Sequence, residues 1–379
     1  MSAIAKAYVG ARIHDGEALH DAHALVVHVD GSRSIISPEA LPAGCPVKQV
    51  SGGIIAPGYV DVQVNGGGGV MFNDDQSVGA LRTIAQAHAA IGTAAILPTL
   101  ITDTPARTKA AIDAVEQAMA EKVAGIVGIH LEGPHLSVAR KGAHDPDLIR
   151  PMTAEDLAVV LRAAERLPNV MMTVAPENTT NTQIRAMADA GVIVSLGHSD
   201  ADFDACMAAF DAGARCVTHL FNAMSQLGNR EPGLVGAALA RDDIYTGLIA
   251  DGIHVHPATI RIALSAAQNS DRIILVTDAM ATAGSAIDSF VLNGRNVMRQ
   301  DRRLTLENGT LAGADLEMTQ ALSTMVQAVG DSMPHAIRRA TATPMSLLKG
   351  FQNGPALLDT ALFVNHLSAD LSSVSRLTG

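Results

Sequence analysis

Between residues 58 and 279, eight short apolar runs alternate with Ala-rich amphipathic stretches, and this rhythm constrains the fold more than any other feature. The runs are GYVDVQV (58–64), AAILPTL (94–100), GIVGIHLEG (125–133), VMMTVAPE (170–177), VIVSLGHS (192–199), CVTHLF (216–221), YTGLIADG (245–252) and RIILVTDA (272–279). Segments such as SVGALRTIAQAHAAIG, TKAAIDAVEQAMAEK, AEDLAVVLRAAERL and ATIRIALSAAQ separate them. Runs of this length read as buried parallel strands, and the spacers read as helices. Eight βα units in roughly 250 residues predict an α/β fold of the (β/α)8 TIM-barrel type. A doubly wound open sheet is the alternative, but no GxGxxG follows the first run.

Outside this block the text is strand-rich. Residues 1–55 carry brief β-branched runs cut by Gly, Asp, Ser and Pro. After residue 285, SFVLNG and RRLTLENGTLAG read as strands, TQALSTMVQAVG as a helix, and TALFVNHLSADLSSVSRL as strand–turn–strand. Pairing of these late strands with the early ones predicts a small β-sandwich domain formed by both chain termini. The expected boundaries are 1–55 for its N-terminal part, 56–345 for the barrel and 346–379 for its C-terminal part.

Composition narrows the function class. Hydrophobic residues make up 48% of the chain, enough for a sizeable core. A net charge of −11 argues against nucleic acid as partner, and the absence of Trp leaves few stacking platforms. Cys45, Cys206 and Cys216 form no CxxC, which fits a reducing cytoplasm rather than a disulfide framework. No run approaches the ~18 apolar residues of a membrane span, and the start has no apolar core of signal-peptide length.

A barrel places reacting groups at the C-terminal ends of its strands. There the chain carries Gln63 and Asn65, Glu132, His198, His219, His254 and Asp278. Glu132, His198 and His219 together can hold Zn²⁺ with a position open for water, although each alone reads as an ordinary polar strand end. The two histidines are one βα unit apart and so lie on adjacent strands. Asp278 is placed to move a proton, or to cap a following helix. Gln63 and Asn65 stand where many barrel hydrolases carry His-x-His, and amides are poor transition-metal ligands, so one metal is expected rather than two. Gly66–Gly69 suits either an anion-facing loop or a flexible turn. Arg230, His254 and His144 are candidate substrate contacts, and an Arg fork matches phosphate. His256, His335 and His366 read as structural or solvent-facing. Met171, Met172, Cys206 and Cys216 read as core.

At these residues the chain resembles the N-acetylglucosamine-6-phosphate deacetylases of the amidohydrolase superfamily. The matching text is APGYVDVQVNGGGGVMFND, HLEGPHLSVARKGAHDP, TVAPE, SLGHSDA, THLFNAMSQLGNREPGLVG, ADGIHVHP, LVTDAMATAG and NGTLAG, in that order. The resemblance implies hydrolysis of an N-acetyl group to acetate and glucosamine 6-phosphate. It implies Glu132, His198 and His219 as ligands of one divalent metal, Zn²⁺ by default with Fe²⁺ or Co²⁺ compatible. Asp278 is the implied acid/base. Ala143, His144, Asn222, Ala223, Arg230, His254 and the backbone of Leu311, Ala312 and Gly313 are the implied sugar and phosphate contacts. It further implies a homodimer in which Arg230 serves the neighbouring subunit, and Gln63 and Asn65 match the mononuclear Gln-x-Asn variant. Rival readings are a related sugar such as N-acetylgalactosamine 6-phosphate, another amidohydrolase reaction, and a silent sugar-phosphate binder.

Overall fold

The computed structural model describes residues 3–350 and 363–377. Its centre is one sheet of eight parallel strands: β1 (Tyr59–Val64), β2 (Thr93–Ile101), β3 (Ile129–Glu132), β4 (Val170–Val174), β5 (Ile193–Leu196), β6 (Cys216–Val217), β7 (Tyr245–Leu248) and β8 (Ile273–Leu275). Each strand pairs with the next in sequence order. The ends meet at a bridge between Val64 and Ala279, which closes the barrel. Each of the eight predicted runs contains one of these strands. All nine residues of β2 are buried, as expected where both faces of a parallel sheet are covered.

Alternation sorts the side chains. Ile96, Met172, Val194 and Val217 join one apolar cluster that includes Ile84, Ile112, Val160 and Ile184 of the surrounding helices. Their neighbours Leu97, Met171, Ile193 and Cys216 join a second cluster. Cys206 is equally buried. The helices between strands start on their own sequence signals. Ser77 caps Val78–Ala90, and Thr104 caps Pro105–Ala120 with Pro at the first turn. Thr153 with Asp156, and Thr180 with Gln183, form reciprocal capping boxes. His256 caps Pro257–Ala266, and His366 bonds the Gly52 carbonyl, so both are structural.

Both chain ends contribute to a five-stranded sheet. Its central strand Ile54–Pro57 pairs with Arg12–His14 on one side and with Val364–Leu367 on the other, and Val374–Leu377 completes that side. A four-stranded sheet from residues 4–49 accompanies it. One expectation needs correction. The strands between residues 285 and 315 do not join the N-terminal ones. Ser289–Leu292, Arg295–Gln300, Arg303–Leu306 and Leu311–Ala314 form a sheet of their own, attached to the barrel by a bridge from Ala314 to Ala279. Two-residue turns decide this. Asn293–Gly294 and Asp301–Arg302 all have positive φ, the hairpin geometry that pairs neighbours in sequence before distant strands can compete. Among the described residues no helix is long and apolar enough to cross a membrane.

Candidate active site

The sequence places its reacting groups at strand ends. The structure puts three of them slightly beyond. Glu132 is the last residue of β3, but His198 lies two residues past β5, His219 two past β6 and Asp278 three past β8. Each of those three has positive φ, at 49°, 31° and 52°. A continued strand would alternate its side chains across the sheet. A left-handed turn instead re-aims the side chain over the barrel mouth.

Three acceptor atoms meet there. Glu132 Oε1 lies 3.1 Å from His198 Nε2 and 3.0 Å from His219 Nε2, and the two nitrogens are 3.0 Å apart. All three residues are buried. The Arg140 carbonyl sits 2.8 Å from His198 Nδ1 and can only accept, so that nitrogen carries a proton and Nε2 is the ring atom turned to Glu132 and His219. Burial pushes the Glu132 carboxyl up, but the two imidazoles outweigh it and hold it well below the usual range. The ionised Glu132 carboxylate and the two imidazole nitrogens thus converge on one point, where a cation can be held between them. One carboxylate and two imidazoles, one fixed from behind by a carbonyl, match the donor chemistry of a divalent transition-metal site.

The opposite side of the mouth is built from donors. Asn65 donates to Asp278 Oδ1 at 2.7 Å, and Gln63 to the same oxygen at 3.1 Å. Gln63 also reaches both oxygens of Glu132, at 3.3 and 3.4 Å. Burial, then the charge of Glu132, pushes Asp278 up to about 6. Because both amides occupy Oδ1, Oδ2 is left for reacting groups.

A cavity of about 240 Å³ opens on this cluster. Glu132, His198, His219, Asp278 and Asn65 line it, together with Ala143, His144, Asn222, Ala223, His254, Leu311 and Gly313. Ala312 is packed in the apolar cluster beneath. Arg230 is exposed and outside the lining, and no Lys or Arg is among the described lining residues. The glycine run is a turn. The N–H groups of Gly66, Gly68 and Gly69 donate to the carbonyls of Ala279, Ala283 and Ala281, so they are not free for an anion. At Gly66 a Cβ would come within 2.4 Å of the Val70 carbonyl.

Two contacts fix the remaining imidazoles. The Thr102 N–H donates to His144 Nδ1 at 3.3 Å, and the Thr102 hydroxyl lies 2.7 Å from it. His144 therefore carries its proton on Nε2, and burial, followed by the neighbouring His198 imidazole, pushes its pKa well below the usual histidine value, so it is neutral. Asp251 accepts from the backbone of Ile253 and His254 at 2.8 Å, and from His254 Nδ1 at 2.6 Å, so His254 offers Nε2 to the cavity. Thr102 and Asp251 escaped the sequence reading, as did the apolar wall of Ile101, Ile249, Met280 and Leu292. Asp251 had a signal, an acid three residues before a histidine in ADGIH. Thr102 had none.

The profile of the amidohydrolase family matches residues 54–349. An N-acetylgalactosamine-6-phosphate deacetylase of Shewanella sp. (strain ANA-3) is 42% identical over 324 residues, 86% of this chain and 81% of the relative. An N-acetylglucosamine-6-phosphate deacetylase of Haemophilus influenzae is 34% identical, covering 85% and 84%. The crystal structure of N-acetylglucosamine-6-phosphate deacetylase from Pasteurella multocida superposes with a TM-score of 0.91 at 34% identity, over 98% of both chains. Barrel, donor set and relatives agree, and this chain belongs to the amidohydrolase family.

Proposed function

We propose that the chain hydrolyses the acetamide of N-acetyl-D-glucosamine 6-phosphate, releasing acetate and D-glucosamine 6-phosphate. The observation that carries this reading is the meeting of Glu132, His198 and His219 across one cavity from an amide-held Asp278. The names of the Haemophilus influenzae relative and of the Pasteurella multocida structure support the substrate.

Glu132, His198 and His219 would hold one divalent ion, with Zn²⁺ favoured by the Glu/His/His set. Such an ion supplies Lewis acidity, lowering the pKa of water and polarising a carbonyl. The other work falls to the chain. Asp278 accepts the proton of the attacking water on Oδ2 while Gln63 and Asn65 steady Oδ1. It then returns the proton to the sugar nitrogen, which would otherwise leave as a strongly basic anion. His144, neutral with its proton on Nε2, offers that hydrogen to the acetyl oxygen as negative charge develops there. Asn222, Ala223, His254 and the backbone of Leu311–Gly313 orient the sugar.

The proposal extends to a homodimer. The described cavity lining lacks a cationic side chain, whereas the substrate carries a phosphate. Arg230, exposed near the mouth loops, is the residue assigned to reach that phosphate in the other protomer. Three unpaired cysteines fit work in the reducing cytoplasm.

The test is acetate release from N-acetylglucosamine 6-phosphate before chelation, after it, and after return of zinc. Loss and recovery support the reading. No release by metal-loaded protein rejects it, and a parallel arm with the galacto epimer shows whether the sugar or the reaction was misassigned.

A further inference from the structure

The barrel seam carries a buried carboxylate that the proposed chemistry does not use. Asp61, in β1, is fully buried, does not line the cavity and hydrogen-bonds to Gln63 and Thr277 rather than to the three candidate metal ligands. Seven of the eight strand junctions are hydrogen-bonded ladders, whereas β8 and β1 are joined only past the end of β8, by the Val64–Ala279 bridge and its neighbouring backbone bonds. The N–H of Val276 donates backwards to Leu248 at 3.1 Å, so strand alternation turns the next N–H, that of Thr277, toward β1. A β1 carbonyl would ordinarily receive it. The Val62 carbonyl is engaged elsewhere, accepting from His130 Nδ1 at 3.0 Å.

Asp61 takes the place of that carbonyl. Its carboxylate accepts the Thr277 N–H at 3.2 Å, the Thr277 hydroxyl at 2.5 Å and the Gln63 N–H at 3.1 Å. One residue further on, the Asp278 N–H donates to the Gln63 carbonyl at 3.1 Å. Asp61 thus grips the residue before Asp278 and the backbone of the residue whose amide holds Asp278 Oδ1.

We propose that Asp61 is a positioning residue for Asp278: its side chain clasps the seam between β8 and β1 just before the Val64–Ala279 bridge and thereby sets where the acid/base stands. This rests on the role given to Asp278 above.

The experiment compares wild type, Asp61→Ala, Asp61→Asn and Thr277→Val as full-length, metal-loaded protein. It reads kcat, KM for N-acetylglucosamine 6-phosphate, bound metal per chain, and amide hydrogen exchange of the segment holding Thr277 and Asp278. Asp61→Ala is expected to lose about 10²-fold in kcat, the scale of a misplacement near 1 Å, with KM and metal content unchanged and exchange accelerated. Asp61→Asn keeps an acceptor for the backbone donors and should recover kcat to within about fivefold of wild type, and Thr277→Val should fall between the two.

A folded, metal-loaded Asp61→Ala with kcat within about threefold of wild type overturns the proposal, as does a loss that lies in KM or metal content. If Asp61→Ala does not fold, Thr277→Val decides, since wild-type kcat and exchange in that variant overturn the clasp. An inactive wild type would instead indict the assigned reaction, and the exchange measurement would still judge the seam.

Discussion

On one side of the cavity three potential ligand atoms, from Glu132, His198 and His219, stand about 3 Å apart. On the other, two amides of β1 aim their hydrogens at a single oxygen of Asp278. The first arrangement suits a positive charge. The second is stable only around a negative one. A relative with His-x-His at the first strand would carry acceptors on both sides. Here Gln63 and Asn65 reverse the polarity of one side, so one side suits a cation and the other holds the Asp278 carboxylate, with Gln63 bridging the carboxylates of Glu132 and Asp278.

The contrast can be broken at four places. The largest effect is expected at Asp278. Asp278→Asn removes the proton carrier and leaves the shape, so kcat should fall by about 10³-fold or more while KM moves little. Steady-state kinetics showing near-wild-type turnover would remove Asp278 from the mechanism. On the acceptor side, His219→Ala leaves a two-point site, and zinc affinity should drop at least about 10²-fold by competition with a chromogenic chelator. Unchanged affinity would mean that the three atoms are not a metal site.

A third break tests the support of the donor side. His88 donates from Nε2 to the Gly66 carbonyl at 2.9 Å, and its Nδ1 is buried without a partner. Burial pushes its pKa down to about 4 from 6.5. The folded state therefore binds fewer protons than the unfolded one between these values. Its contribution is present in full above pH 6.5 and is lost as pH falls toward 4, about 2 kcal/mol at pH 5. His88→Gln keeps a donor without titrating. Urea unfolding at pH 7.5 and 5 should show the wild type losing more stability than the variant by that amount, and equal losses would refute it. The smallest effect belongs to Gln63→Leu, which leaves the two carboxylates without their bridge. A fall of about 10-fold in kcat is expected. Indifference to this change would mean that Asn65 alone holds Asp278.

The sequence was most readable where one physical signal acts alone. All eight barrel strands were visible because a strand buried on both faces must be apolar along its length. Glu132, His198, His219 and Asp278 were visible because polar residues ending such runs have few other reasons to be there. What depended on backbone direction was not visible. Strand β6 stops at Val217, before His219, and no periodicity announces a left-handed turn. The pairing of Ser289–Leu292 and its neighbours was misread although Asn293–Gly294 supplied a hairpin signal. Asp251 and Thr102 act through contacts that exist only after folding. Asp61 was legible in principle, as a lone charge inside an apolar strand, but its partner Thr277 lies 216 residues away in the sequence.

The left-handed turns at His198, His219, Ala223 and Asp278 carry a lesson for engineering. Each non-glycine residue held at positive φ costs on the order of 1 kcal/mol, so the mouth of the barrel is its least relaxed part. A campaign that selects variants for heat tolerance alone would find its easiest gains there, by glycine replacement, and would dismantle the chemistry as it did so. Thermostabilised descendants of this chain should be sought instead in the caps, hairpin turns and terminal sheets, with these four positions frozen.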